Sequence, residues 1–323
     1  MTNSARSRPQ TSGPKVVAIG GGHGLAATLR ALRRVTDDVT AVVGVSDNGG
    51  SSGRLRDEFD VVPPGDLRMA LAALCGDDSW GRTWSRVIQH RFSGNGELAG
   101  HSIGNLLITA LWEETGDIVT GLDWVGALLG AHGRVLPVAT VPLHVVADVA
   151  GLYPEEPSRV ERVEGQVEIA TTVGQVMGLH IEPADALACP ASVEAIHNAD
   201  VIILGPGSWF TSVIAPLMVR GIGSAVADSK AKVVVVLNLA PQPGETAGFS
   251  PQRHLEVLAA ALPTMKIDTV VADPTRVSDV ASLAAAAARL GGHLVLAPVA
   301  ARDNTPNHDV DLLASALGGV LAT

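Results

Sequence analysis

The segment DNGGSSGRLR, at residues 47–56, concentrates groups that bind phosphate. Its glycines let a ligand approach the backbone, its serines donate hydrogen bonds, and the guanidinium of Arg54 or Arg56 can pair with two phosphate oxygens. Asp47 could accept hydrogen bonds from ribose hydroxyls or coordinate Mg²⁺ bound to a diphosphate. The alternative is an Asx turn beside two solvated arginines, with no ligand.

Two further glycine-rich segments each follow an apolar run and precede a helical pattern. They are GGGHG at residues 20–24 and GPGSWFTS at residues 205–212. Backbone amides at such positions can point at an anion, and the helix N-terminus adds a partial positive charge. Residues 20–24 lack the last glycine of GxGxxG and the lysine of a P-loop, so they could also be a tight turn. We interpret both segments as phosphate-binding turns.

Polar groups in PPGDLR (63–68), GHSIGN (100–105) and QPGET (242–246) complete the candidate site. Asp66 is expected to cap the helix that follows it and to fix Arg68. His101 is interpreted equally well as a ligand donor or as a structural histidine. The candidate ligand-binding residues are Gly21, Gly22, His23, Gly24, Asp47, Asn48, Gly49, Gly50, Ser51, Ser52, Arg54, Arg56, Asp66, Arg68, His101, Ser102, Asn105, Gly205, Gly207, Ser208, Thr211, Ser212, Asn238, Gln242, Glu245 and Thr246.

The elements that would position these segments alternate between short apolar runs and amphipathic stretches. Continuous apolar runs at 15–20 and 39–46 predict strands buried on both faces, and residues 25–35 predict a helix between them. The fold class is therefore α/β, a Rossmann-like, doubly wound and mostly parallel sheet, in a single domain over 15–323. The same alternation predicts a helix near 191–198, strands at 200–204 and 232–237, a helix after 211, and strands near 269 and 293.

Two elaborations and a leader are expected around this core. Helical patterns at 66–74, 80–91, 102–114 and 118–129 predict a helical block over about residues 66–130. Between 135 and 181, extended pieces broken by proline and glycine predict a small β-rich insertion. Residues 1–14 are polar and predict a disordered leader without a secretory signal.

The composition argues against several classes of function. A net charge of -10 and an aromatic content of 3% leave neither a basic surface nor stacking platforms for nucleic acid. No apolar stretch approaches the roughly 20 residues of a membrane-spanning helix, so we expect no membrane insertion and a cytoplasmic location. Cys75 and Cys189 match no metal-ligand spacing, which predicts two buried, reduced thiols.

Six segments in order and spacing resemble the CofD-like superfamily, most closely its gluconeogenesis-factor (YvcK-like) branch. They are GGGHGLAATLRAL, SDNGGSSGRLR, PPGDLR, GHSIGNLL, GPGSWFTS and QPGET, and the resemblance spans residues 15–254 and, more weakly, the rest. It implies a cytoplasmic regulatory protein that binds a UDP-sugar, notably UDP-N-acetylglucosamine, without a required cofactor. The implied role is in cell shape and cell-wall synthesis on gluconeogenic carbon sources. An unidentified regulatory protein partner and a homo-oligomeric assembly are further expectations.

The sister branch of that superfamily implies an alternative, which is an enzyme. Its 2-phospho-L-lactate transferases move a phospholactyl-type group from a nucleotide diphosphate donor to a deazaflavin precursor with Mg²⁺, and Asp47 would be the metal-associated carboxylate. Here DNGG stands where the superfamily usually has DDGG, and His23 stands where it usually has threonine. The missing second carboxylate at Asn48 favours regulatory binding over transfer.

Overall fold

Ten strands and thirteen α-helices make up the computed structural model over the residues it describes, which are 13–242, 244–303 and 305–322. The predicted leader falls almost wholly on residues 1–12, which lie outside the described residues. The strands are β1 (Val16–Gly20), β2 (Val39–Val43), β3 (Arg134–Pro137), β4 (His144–Ala150), β5 (Val160–Glu164), β6 (Gln175–Glu182), β7 (Val201–Leu204), β8 (Lys232–Val236), β9 (Thr269–Ala272) and β10 (His293–Leu296). The helices are α1 (Gly22–Leu32), α2 (Gly50–Phe59), α3 (Gly65–Leu74), α4 (Ser79–Gln89), α5 (Ile103–Thr115), α6 (Ile118–Leu129), α7 (Gln166–Ala170), α8 (Pro190–His197), α9 (Ala215–Met218), α10 (Ile222–Asp228), α11 (Pro251–Ala261), α12 (Val280–Arg289) and α13 (Val310–Leu321).

The central sheet has seven strands in the order β10-β9-β8-β7-β1-β2-β3, all parallel. Continuous valine and isoleucine runs form its middle strands because helices cover both faces, and every residue of β1 and β7 is buried. The predicted α/β class with a doubly wound parallel sheet is confirmed. From β1 the chain builds outward to β2 and β3, then crosses to β7 and builds the other way. The sheet therefore has a topological switch point between β1 and β7, where ligands of open α/β sheets bind.

The β-rich insertion is a separate antiparallel sheet, and its predicted boundaries need correction. Its order is β5-β4-β6, and α7 lies between β5 and β6 in the chain. The prediction began the insertion at residue 135, but β3 belongs to the central sheet and pairs with β2. Val135 and Leu136 are buried there, so two-sided burial places this piece in the main sheet despite its short length.

The predicted helical block is confirmed, with small shifts at the helix ends. α3 and α6 pack against the β2–β3 side of the sheet, and α4 and α5 pack on those two helices. α5 and α6 both end at a glycine in the left-handed conformation, Gly116 and Gly130. Both cysteines are free and buried, as predicted. Among the described residues, no helix is long and apolar enough to cross a membrane.

Candidate functional site

The first glycine loop and the loop after β7 meet at the switch point. A Cβ on Gly24 would lie 2.1 Å from the carbonyl oxygen of Pro206, so only glycine fits at that position. The hydroxyl of Thr28 donates to the carbonyl of Gly205 over 3.1 Å, which ties α1 to the second loop. α1 begins at Gly22, three residues earlier than predicted, and its N-terminus therefore lies inside the first glycine loop. Both glycine loops thus present backbone to one crevice.

A cavity of about 470 Å³ opens at this crevice, and we call it the switch-point cavity. It falls within the roughly 300–1,000 Å³ of small-molecule sites. Five of the predicted residues line it, together with residues of α1 and of the segment 306–308 that were not predicted. The predicted lining residues are His23, Gly24, Gly207, Asn238 and Gln242, and the missed ones include Ala27, Arg30, Pro306, Asn307 and His308. No motif marks residues 306–308, which reach the cavity only through the fold.

The loops after β7 and β8 are held by neutral hydrogen bonds. The Asn238 amide accepts from the backbone N–H of Gly207 at 2.9 Å and donates to its carbonyl at 2.8 Å. Gln242 donates to the hydroxyl of Ser208, and its backbone N–H donates to the hydroxyl of Thr246. The buried carbonyl oxygen of the Gln242 side chain has no hydrogen-bond partner among the described residues. These residues, together with His23 and Gly24, form what we call the neutral half of the site.

Glu245 stabilises the neutral half from inside the protein. It accepts from the backbone N–H of Phe210 at 3.1 Å and from the hydroxyl of Thr211 at 2.5 Å. These bonds fix the start of a π-helical turn, Trp209–Ile214, which carries Ser212 against the first glycine loop. Burial raises the pKa of Glu245 above its usual range. Glu245 and Thr211, both predicted to bind ligand, are here bonded to each other.

The segment that begins at Asp47 is only partly the loop that its composition suggests. α2 begins at Gly50, so Ser51, Ser52, Arg54 and Arg56 are helical residues. Asp47 does form the Asx turn weighed above, because one carboxylate oxygen accepts from the backbone N–H of Gly49 at 2.9 Å. The other oxygen is directed at Gly65, where a Cβ would lie 2.8 Å away. Asp47 therefore combines a turn-forming role with a carboxylate oxygen that faces α3.

The predicted capping role of Asp66 is wrong. The N-cap of α3 is Pro64, and Asp66 lies within the first helical turn. Its carboxyl faces the first glycine loop, where it accepts from the backbone N–H of Gly22. A Cβ on Gly21 would lie 2.5 Å from a carboxyl oxygen of Asp66. Burial, reinforced by the charge of Asp47, raises the pKa of Asp66 to about 7.

What we call the charged half of the site comprises Asp47, Ser51, Arg54, Arg56, Asp66, Arg68, His101, Ser102 and Asn105. Ser51 is its hub, because its hydroxyl bonds Nδ1 of His101 at 3.1 Å, the Asn105 amide at 3.1 Å and the backbone N–H of Ser102 at 3.3 Å. Burial and the charge of Arg54 lower the pKa of His101, which keeps the ring neutral near pH 7. The hydroxyl of Ser102 donates to the carbonyl of Ile88, which fixes the start of α5. His101 is thus both buried and part of the predicted cluster.

The three predicted arginines differ in their partners. Arg54 is exposed and donates to the carbonyls of Glu97 and Ala99. Arg56 is buried, contacts Nε2 of His144 at 2.5 Å, and leaves its other terminal nitrogen without a partner among the described residues. Arg68 is also buried, and its Nε has no partner in the described part of the chain. Arg56 and Arg68 therefore each bury one donor without a partner among the described residues, which costs stability.

Asn48 contacts the insertion instead of facing the cavity. Its amide donates to the carboxylate of Glu168 at 2.7 Å and accepts from the backbone N–H of Val167 at 3.1 Å, both in α7. α7 also contacts the loop after β8, because a Cβ on Gly244 would lie 2.1 Å from the carbonyl oxygen of Ala170. α7 therefore bridges the loops after β2 and β8. No local pattern indicates this contact, since Glu168 is distant in the chain.

The charged half contains a second carboxyl group although position 48 is an asparagine. Asp66 places a second carboxyl near Asp47, so the site does not depend on position 48 for that group. Among the described residues, no group of three or more histidine, cysteine or acidic side chains could hold a metal ion. Two carboxylates fit Mg²⁺, which commonly takes its remaining ligands from water and substrate phosphates.

Comparison with known proteins gives one consistent result. The sequence profile described as "2-phospho-L-lactate transferase CofD" matches residues 16–293. The chain is 51% identical over 310 residues to a candidate gluconeogenesis factor of Mycobacterium tuberculosis, covering 95% of this chain and 90% of that protein. It is 36% identical over 266 residues to the gluconeogenesis factor of Bacillus subtilis, covering 82% of this chain and 80% of that protein. A crystal structure of a UPF0052-family protein from Bacillus halodurans matches with a TM-score of 0.84 and 30% identity, covering 97% of this chain and 99% of that one.

Proposed function

The chain belongs to the CofD family and its relatives are gluconeogenesis factors, and from this premise we propose that it is a regulatory protein that binds a nucleoside diphosphate sugar. The ligand we propose is UDP-N-acetylglucosamine, bound in the switch-point cavity. The role we propose is cytoplasmic control of cell shape and cell-wall synthesis on gluconeogenic carbon sources, exerted through a protein partner.

The observation that carries this proposal is the convergence of two glycine loops at the switch point. The N-terminus of α1 and the backbone of Pro206 and Gly207 border the same cavity, where His23 and Gly24 in the first turn of α1 can offer backbone N–H groups to a diphosphate. Amide groups of Asn238 and Gln242 already bond the protein and shape this backbone. We therefore assign the diphosphate to the glycine loops and the sugar to the loops that contain His101 and Gln242.

A steric variant tests this assignment. Ala27 lines the switch-point cavity on α1, and Leu is a good helix former, so Ala27→Leu fills the cavity without weakening the helix. We expect calorimetry to show a loss of UDP-N-acetylglucosamine affinity of about tenfold or more, on the order of 1.4 kcal/mol. Ala110→Leu, at an exposed position of α5, is the matched control and should bind normally.

Two results of this calorimetry would contradict the proposal. If Ala27→Leu and the wild type bind UDP-N-acetylglucosamine equally, the ligand does not occupy the switch-point cavity. If the wild type does not bind it at all, the proposed ligand is wrong. Binding of GDP and NAD, measured in the same way, would give the base preference.

A second candidate function rests on the pairing of Asp47 and Asp66. This is Mg²⁺-dependent group transfer, in which the two carboxylates would hold Mg²⁺ and the ion would neutralise phosphate charge. Calorimetry with a deazaflavin precursor and a nucleotide donor, with and without Mg²⁺, separates the two candidates. Mg²⁺-dependent product formation that is lost in Asp47→Asn supports transfer. Mg²⁺-independent binding of the UDP-sugar without turnover supports regulation.

A further inference from the structure

A second cavity, remote from the glycine loops, is lined by an unusual number of arginines. It has a volume of about 420 Å³ and lies among the end of α1, the α3–α4 turn, α4 and the start of α13. Arg30, Arg33, Arg34, Arg82 and Arg86 all line it, and we call it the arginine cavity. These are five of the 23 basic residues of a chain whose net charge is -10. A local cluster of positive charge therefore lies at one concave place on this acidic protein.

Among the residues that the structure describes, acidic neighbours pair with only two of the five arginines. Asp77 is the acidic residue of the cavity wall, and it pairs with Arg33. Arg34 pairs with Asp311, which adjoins the cavity at the start of α13. Arg82 donates to the backbone carbonyl of Asp77. Five guanidinium groups thus face two carboxylates, and in the described part of the chain Arg30 and Arg86 form no ion pair.

A structural role accounts for only part of this cluster. Basic side chains at the end of a helix complement its dipole, which suits Arg30 on α1 and Arg86 on α4. Arg33 also donates to the carbonyl of Cys75 at 2.5 Å, after the end of α3. The dipole does not account for Arg82, which lies in the first turns of α4 where a positive charge is unfavourable. Nor does it explain why the end of α1 and α4 both direct arginines at one cavity.

Arg30 connects this cavity to the switch-point cavity, because it lines both. α1 has 11 residues, so at 1.5 Å per residue it spans about 16 Å between the glycine loop and the arginine cavity. Burial and, to a smaller extent, the charge of Arg33 lower the pKa of Arg30. An anion in the arginine cavity would draw the Arg30 guanidinium away from a phosphate in the switch-point cavity.

We propose that the arginine cavity is an effector site for a small organic phosphate with at least two negative charges, and that Arg30 couples it to the switch-point cavity. The small volume selects a metabolite, and converging guanidinium groups match phosphate oxygens. The sign of the coupling is negative, since one guanidinium serves two anions. The coupling rests on the proposed function, whereas the anion site does not.

Calorimetry with inorganic pyrophosphate at low ionic strength tests the anion site. We expect Arg86→Gln to weaken binding about tenfold, as loss of a charge-assisted hydrogen bond does, and Arg30→Gln/Arg86→Gln to abolish it. Arg276→Gln, an exposed arginine elsewhere, makes the same charge change and should bind like the wild type. Ala27→Leu should also bind pyrophosphate normally, because it obstructs only the switch-point cavity.

Three outcomes of that experiment overturn the anion site. The first is that the wild type does not bind pyrophosphate, and the second is that the double arginine variant binds it with full affinity. The third is that Ala27→Leu loses pyrophosphate binding whereas Arg86→Gln binds it like the wild type. The last result would place pyrophosphate in the glycine loops.

The coupling is tested by titrating UDP-N-acetylglucosamine with and without saturating pyrophosphate. We expect pyrophosphate to raise the Kd about fivefold in the wild type and to have no effect in Arg30→Gln. An unchanged Kd in the wild type contradicts the coupling. If UDP-N-acetylglucosamine does not bind at all, the proposed function fails while the pyrophosphate titration still decides the anion site.

Discussion

The neutral and charged halves of the candidate site lie along one edge of the sheet, but they differ in whether their buried polar groups have hydrogen-bond partners. In the neutral half, Asn238 and Glu245 are bonded to the protein's own backbone, so they give the loops their shape. In the charged half, Arg56 and Arg68 keep buried donors without partners among the described residues, and Asp66 is desolvated beside Asp47. The comparison indicates that the neutral half is a preformed cradle, whereas the charged half buries polar groups without partners among the described residues, at a cost in stability.

Removal of the Glu245 side chain should have the largest effect of the variants considered below. Glu245→Ala leaves the N–H of Phe210 and the hydroxyl of Thr211 buried without an acceptor, which we expect to lower the free energy of unfolding by about 3 kcal/mol. Urea denaturation measures the change. Glu245→Gln keeps one acceptor oxygen and should lose about 1 kcal/mol. Equal stability of wild type and Glu245→Ala would mean that the neutral half is not held by this carboxyl.

Asp66→Asn should have the opposite sign, because it removes a charge that the folded state disfavours. The pKa of Asp66 is raised to about 7, so the folded protein keeps this proton between pH 4 and 7 while the unfolded chain releases it. Stability of the wild type should therefore fall as pH rises through that window. We expect Asp66→Asn to increase the free energy of unfolding by about 2 kcal/mol at pH 8 and to have little effect at pH 4.

Denaturation of the wild type and Asp66→Asn at several pH values checks this prediction. Asp57→Asn, at an exposed position of α2, is the matched control for the loss of one negative charge. A difference between Asp66→Asn and wild type that is the same at pH 4 and pH 8 would contradict the raised pKa. The charged half would then carry no stability cost at Asp66.

The smallest of these effects concerns the contact between the Asp47 segment and α7. Asn48→Asp replaces an amide that donates to Glu168 with a like charge, and both groups are solvent-accessible, so the expected loss is about 1 kcal/mol. Adding Glu168→Gln restores a donor opposite the introduced carboxylate, so the double variant should recover most of this loss. A double-mutant cycle with no coupling between the two positions would show that α7 is not held by this bond.

The central sheet was predictable because its middle strands are continuous apolar runs. α2 was not, since residues 47–56 are rich in glycine, serine and aspartate, which favour turns and caps. Tertiary context overrides this preference, because Gly65 of α3 packs against Ser52 and Asn105 of α5 donates to the hydroxyl of Ser51. Tertiary context also explains β3, because its pairing with β2 and its burial place it in the main sheet.

The residues of the site were predictable by type but not by role. Glycine loops and hydroxyl clusters have local sequence signals, and all of them fall at one edge of the sheet. The role of Asp66 was mistaken because a carboxylate before an apolar run usually indicates an N-cap. The partners of Asn48 and the cavity contribution of His308 depend on contacts between distant segments, for which one sequence carries no local pattern.

The most direct test of the account is a crystal structure of the protein with UDP-N-acetylglucosamine. We predict the diphosphate against the backbone of residues 22–24 and 206–208, with Ala27 and Asn238 bordering the ligand. Density for the diphosphate in the arginine cavity, or against residues 51–56 with the switch-point cavity empty, would contradict the assignment of the neutral half as the nucleotide cradle.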